Sequence, residues 1–125
     1  MSNKTVDARK FQRIFFSAED HVVGAASAPE IGMEHIPITY LNLSEGGICF
    51  QSERNLCRKL ALEQEIVLKN SEPDVLAFLG DIHVRIKHVL DYDMVANVAF
   101  GCEFISIPEK VLGEIKIMIA AGMKK

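Results

Sequence analysis

Two arginines four residues apart, Arg9 and Arg13, stand directly before Ile14, Phe15 and Phe16 in the stretch RKFQRIFF. A guanidinium is a permanently charged planar fork, so such a pair suits a phosphate or the acceptor edge of a planar ring. A second group follows in YLNLSEGGICF, where Asn42, Ser44 and Gly47 fall in the pattern N-x-S-x-x-G. Asn and Ser side chains bond nearby backbone and favour turns. Gly46 and Gly47 permit either a positive φ or a close backbone approach. Taken singly, the first group is a solvated basic arm and the second a strand-to-strand turn.

The charge distribution sharpens the first group. Residues 1–13 hold Lys4, Arg9, Lys10 and Arg13 against Asp7, a local charge of +3, while the 125-residue chain carries −3. The remaining 112 residues therefore carry −6. A basic arm on an acidic body argues against DNA or RNA, which call for a basic face on the domain itself. It suits a small anion gripped locally. Lys10 and Gln12 are expected to face solvent, with Lys10 a secondary candidate for the anion.

Other chemistry is thin. Cys49, Cys57 and Cys102 are odd in number and lack a C-x-x-C spacing. Cys49 and Cys102 lie in apolar strand patterns, so they are expected as reduced core thiols. His83 and His88, five apart on one predicted strand, are expected on opposite faces, and no zinc site follows. The sequence shows no Ser-His-Asp arrangement, no phosphate-cradling G-x-x-x-x-G-K-S/T and no nominated carboxylate pair, so a receptor is expected rather than an enzyme.

The elements that must position these residues are mostly strands. A first strand is predicted from Arg13 to Gly24, with Phe15 packed in the core or at the barrel edge. A loop over ASAPEIGMEH leads to a second strand, IPITYLNL, whose alternation of Ile36, Ile38 and Tyr40 is less clean at Asn42. SEGG makes a turn into a third strand, ICFQS; ERNLCRKLALEQ is irregular with room for a short helical turn, and EIVLKN is a fourth strand before a turn at SEPD. The fifth and sixth strands lie within VLAFLGDIHVRIKHVLDYD and MVANVAFGCEFISI, joined by a tight DYD hairpin. Arg85 and Lys87 fall on a wet face of the fifth, and Gly101 marks a bend or bulge in the sixth. Six strands without intervening helices predict an all-β fold with one helix: a six-stranded antiparallel β-barrel plus a C-terminal α-helix. That helix is predicted to be capped by Ser106 and Glu109, to carry an apolar stripe of Val111, Leu112, Ile115, Met118 and Ile119, and to stop near Gly122. The stripe must pack on the barrel or on a partner, which leaves a homodimer open. No apolar run is long enough to span a membrane, and the polar N-terminus is not a secretory signal, so a cytoplasmic location is expected.

An R-x-x-x-R pair before the first strand, followed by N-x-S-x-x-G between the second and third, resembles the PilZ domain family. Both family motifs, R-x-x-x-R and (D/N)-x-S-x-x-G, are complete here, and the resemblance runs from about Ala8 to Ala121. It implies a flexible basic arm over residues 1–8 and a PilZ domain over 9–122. It further implies a split barrel that binds cyclic di-GMP, with Arg9 and Arg13 gripping guanine and phosphate, Asn42 and Ser44 bonding a guanine, Gly47 letting the backbone come close, and Gly46 beside it. As a single-domain receptor the chain is expected to order its arm over the dinucleotide and pass the signal to a protein effector, in motility or biofilm control. The competing expectations are a PilZ-like adaptor that does not bind nucleotide, and a small nucleic-acid binder on an OB-like barrel, which the acidic body opposes.

Overall fold

The computed structural model describes residues 13–16, 22–72, 81–91 and 95–123. The proposed arm, with Arg9, Lys10 and Gln12, and the DYD hairpin tip at 92–93 lie outside the described residues. Seven strands form one antiparallel sheet: β1 (Arg13–Phe15), β2 (Val23–Ala28), β3 (Met33–Ser44), β4 (Gly47–Glu53), β5 (Glu65–Glu72), β6 (Ile82–Leu90) and β7 (Asn97–Ser106). Their order is β1-β3-β2-β5-β6-β7-β4, and β3 also pairs with β4, so β2 to β7 close into a six-stranded barrel with β1 as an added strand. Closure leaves a six-stranded ring without a free edge.

The predicted first strand is divided in two. β1 pairs with the C-terminal end of β3 and β2 with its N-terminal part, and the register slips by five residues between them, the length of the segment 17–21. The predicted loop after it is largely strand. β2 runs to Ala28, a 3-10 turn spans Pro29–Ile31, and Gly32 closes it at φ 72°, donating its N–H to the Pro29 carbonyl at 3.0 Å. Glycine tolerates that left-handed conformation without steric cost. The short helical turn expected after β4 is α1 (Arg54–Cys57).

The barrel interior is filled by alternating positions of every strand. Tyr40, Leu43, Ile48, Phe50, Ile66, Leu68, Val84, Ile86 and Phe100 are all at most 2% exposed. The Phe50 and Phe100 rings stack with centroids 5.3 Å apart. α2 (Glu109–Met123) packs against β1 and β3, burying Ile115 and Ile119, with Val111 and Met118 packed beside them. The helix stripe is thus covered by the barrel, the first of its two expected partners. Its start differs from expectation: Leu112 N–H bonds the Pro108 carbonyl, while Ser106 remains in β7 opposite His83. The sheet ladder holds Ser106, so the expected capping box does not form.

Two bulges alter which residues face outward. In β3, Tyr40 pairs with Phe50 but Asn42 with Cys49, so Leu41 is an extra residue. In β6, Ile86 pairs with Cys102 but His88 with Gly101, so Lys87 is extra. An extra residue reverses the inside-outside alternation beyond it. Asn42 therefore turns to the outer face while Leu43 enters the core, the reason its place in the alternation was irregular. His88 likewise turns outward and Val89 packs on the core, so His83 and His88 are both exposed on the outer face rather than on opposite faces. The irregularity expected at Gly101 falls in the strand opposite it.

Candidate functional site

β1 presents Arg13. Ile14 pairs with Leu43 and packs on the core, which sends its neighbours Arg13 and Phe15 outward, opposite Ser44 and Asn42. Phe15 is 60% exposed, so of its two expected places the core is excluded, and Ile14 packs there instead. Arg13 Nη1 donates to Asn42 Oδ1 at 2.9 Å and lies 4.0 Å from Cys49 Sγ. Arg13 Nε is enclosed and has no hydrogen-bond partner. An enclosed donor without an acceptor costs roughly 1–3 kcal/mol, so the bond from Nη1 to Asn42 is what holds the guanidinium here.

The neighbouring turn is held by Ser44, which is 4% exposed. Its Oγ accepts the N–H groups of Gly46 and Gly47, each at 3.2 Å, and its hydroxyl donates to the Gly47 carbonyl at 3.4 Å. β7 is tied to the same turn, because Phe104 N–H donates to the Gly46 carbonyl at 3.0 Å. A Cβ on Gly47 would stand 2.0 Å from the Cys102 carbonyl oxygen. Of the two reasons for glycine offered by the sequence, close backbone approach is the one found at Gly47; the described glycine at positive φ is Gly32.

Beside this corner lies a groove of about 560 Å³ across the outer face of β4, β7 and β6, within the roughly 300–1,000 Å³ range of small-molecule sites. Arg13, Ser44, Gly46 and Gly47 form one side. Its floor carries Cys49, Gly101 and Ala99, with Gly101 and Ala99 paired to His88 and Leu90 of β6. Lys87, His88 and Leu90 of β6 close the other side, and Glu103 of β7 lies across the ladder from Gly47 at the corner. Small residues along β7 keep that floor low between taller walls.

The wet face expected around Arg85 and Lys87 is present and laced with ion pairs. Arg85 meets Glu65 at 2.6 Å and Glu103 at 3.8 Å, and Lys87 meets Glu63 at 2.9 Å. Exposed pairs of this kind contribute little to stability, typically ~0–1 kcal/mol. Burial pushes the pKa of the Cys102 thiol above its ordinary value, with Cys49 nearby as a smaller cause. Burial also pushes up the pKa of the Tyr40 phenol and the Cys57 thiol. Cys102 is a core thiol as expected, and Cys57 is buried as well; Cys49 is only partly buried and lines the groove, because its partner Asn42 faces outward. Among the described residues, no three His, Cys, Asp or Glu side chains are grouped to hold a metal ion, and no helix is long and apolar enough to cross a membrane.

The structure therefore brings Arg13, Ser44, Gly46 and Gly47 to one groove and puts Asn42, 8% exposed, against the arginine. Arg9 and Lys10 lie outside the described residues. Sequence reasoning did not find Cys49, Lys87, His88 and Glu103 as groove residues. Their placement depends on strand order and on the β6 bulge, neither of which has a local signature.

No protein-family model matches the sequence, and no curated protein matches it. Solved structures do. The PilZ domain of YcgR from Escherichia coli, determined with c-di-GMP, superposes with a TM-score of 0.68 at 11% identity, over 94% of this chain and 93% of that one. MotI/DgrA, the Bacillus subtilis inhibitor of motility, gives 0.67 at 14% identity, over 95% and 53%. The MrkH–c-di-GMP complex of K. pneumonia gives 0.65 at 17% identity, over 95% and 54%. This chain spans nearly all of the first and about half of the other two. These similarities establish the fold, which is that of PilZ domains, as the two motifs had implied.

Proposed function

We propose that this chain is a cyclic di-GMP receptor whose site is the groove beside Arg13. One observation carries the reading: Arg13 of the R-x-x-x-R pair and the Ser44–Gly47 corner of N-x-S-x-x-G line the same groove, although 31 residues separate Arg13 from Ser44. The similarity to domains solved with c-di-GMP supports it.

In this reading Arg13 supplies a fork that bonds phosphate or guanine and stacks on a base. Asn42 sets the plane of that fork through the bond from Nη1. Ser44 fixes the turn, and Gly47 lets β4 lie close against β7. Arg9, with Lys10 beside it, closes from the N-terminal side as residues 1–8 order over the ligand ahead of a domain spanning 9–122. Ordering costs roughly 1–2 kcal/mol of backbone entropy per residue, against roughly 1.5–3 kcal/mol for each charge-assisted hydrogen bond. The ordered arm and bound dinucleotide then form a surface for a protein effector, in control of motility or biofilm formation.

Calorimetric titration with cyclic di-GMP tests this. Wild type should bind, and Arg9→Ala and Arg13→Ala should each remove the heat. Saturating ligand should also slow alkylation of Cys49 by iodoacetamide, since Cys49 lines the groove while Cys57 and Cys102 are buried. A wild-type protein giving no heat would leave an adaptor that does not bind nucleotide.

A further inference from the structure

A carboxylate in a groove for a dianion requires a reason. Glu103 lines this groove, and its side chain is 47% exposed. Its link to Arg85 is loose, 3.8 Å, because that guanidinium has its short contact at 2.6 Å with Glu65. Glu103 is also held beside the motif corner: it pairs with Gly47 across the ladder, and the next residue, Phe104, donates its N–H to the Gly46 carbonyl. A Cβ on Gly47 would stand 3.2 Å from the Glu103 Cα. No side chain at position 47 stands between the carboxylate and the groove.

A free carboxylate repels phosphate and lowers affinity for any anion. It becomes favourable when it receives protons from the ligand itself. Guanine offers two adjacent donors, N1–H and the N2 amino group, which match the two oxygens of a carboxylate. Adenine offers an unprotonated N1 beside its N6 amino group, so one carboxylate oxygen would face a lone pair. Ala99 and Gly101 line the floor on the same strand as this position.

We propose that Glu103 is the guanine-selecting residue of this site, accepting hydrogen bonds from the donor edge of one base. The inference rests on the cyclic di-GMP reading and adds to it the basis of base selection. Charge-assisted hydrogen bonds of this kind predict that Glu103→Gln binds cyclic di-GMP about tenfold more weakly or worse. Wild type should prefer cyclic di-GMP to cyclic di-AMP by about a hundredfold or more, and the variant should narrow that gap. The melting temperature should stay unchanged, since the ion pair that Glu103 makes among the described residues is exposed and long.

The test is titration of wild type, Glu103→Gln and Arg13→Ala with both dinucleotides. If Glu103 serves only as a surface partner of Arg85, removing its charge tightens binding of both ligands, and that result overturns the inference. Equal affinities of wild type and Glu103→Gln overturn it as well. In both cases the receptor reading stands, provided wild type binds and Arg13→Ala does not. A wild-type protein that fails to bind cyclic di-GMP overturns both.

Discussion

At the scale of single residues, the site depends on atoms that approach closely. Gly47 is the clearest case, because a Cβ there would lie 2.0 Å from the Cys102 carbonyl oxygen, a backbone atom that cannot rotate away. Gly47→Ala should force β4 from β7 and destabilise the fold by about 3 kcal/mol or more, at the upper end of overpacking effects; thermal unfolding measures this. Gly113 in α2 is the contrast, with nothing within 4 Å of its Cβ position. Gly113→Ala should raise stability by up to about 1 kcal/mol through helix propensity. The motif marks Gly47 in the sequence, but what each Cβ would meet is decided by neighbours from other elements. Arg13, Asn42, Ser44 and Gly47 were legible because each announces itself by residue type and spacing. Cys49 was misplaced as a core thiol because its apolar neighbours Ile48 and Phe50 do face inward.

At the scale of elements, the motif residues are placed by a short strand, a helix and two bulges. β1 has three residues, pairs with β3 alone and is covered by α2. The helix therefore supports the strand that carries Arg13. Ile115→Ala should cost about 2–4 kcal/mol as a large-to-small core change and should weaken ligand binding with it. Ile117, 66% exposed, should change to Ala with a stability effect within about 0.5 kcal/mol and no loss of binding. Equal effects of the two would mean that the helix does not brace β1. The bulges at Leu41 and Lys87 turn Asn42 and His88 to the face that holds the groove. Strand existence was readable from alternation; the bulges were not, since a single extra residue leaves composition unchanged and reveals itself only against the partner strand.

At the scale of the molecule, one closed barrel serves as both core and platform, and its interior sets the pH dependence of stability. Burial raises the pKa of Tyr40, Cys57 and Cys102 in the folded chain. The unfolded chain then ionises first, so their contribution is complete below about pH 8.5 and declines as pH rises toward the folded values. Denaturant unfolding should show stability falling from about pH 8.5 upward, by as much as ~1.4 kcal/mol per pH unit for each thiol that titrates. Cys102→Ala should make that slope shallower whatever its effect at pH 7. A slope unchanged by the substitution would mean that this thiol is not shielded by the barrel.

The sequence by itself determined the barrel with its closing helix and one corner of the candidate site. Alternation of apolar residues, turn chemistry and the two motifs are local properties, written in neighbouring residues. The tertiary structure alone decided the rest: the division of the first strand, the outward turn of Asn42 and His88, and the meeting of Cys49, Lys87 and Glu103 at the groove. Those outcomes depend on which strands pair and in what register. Register is fixed only when strands distant in sequence compete to bury their apolar faces in one shared interior.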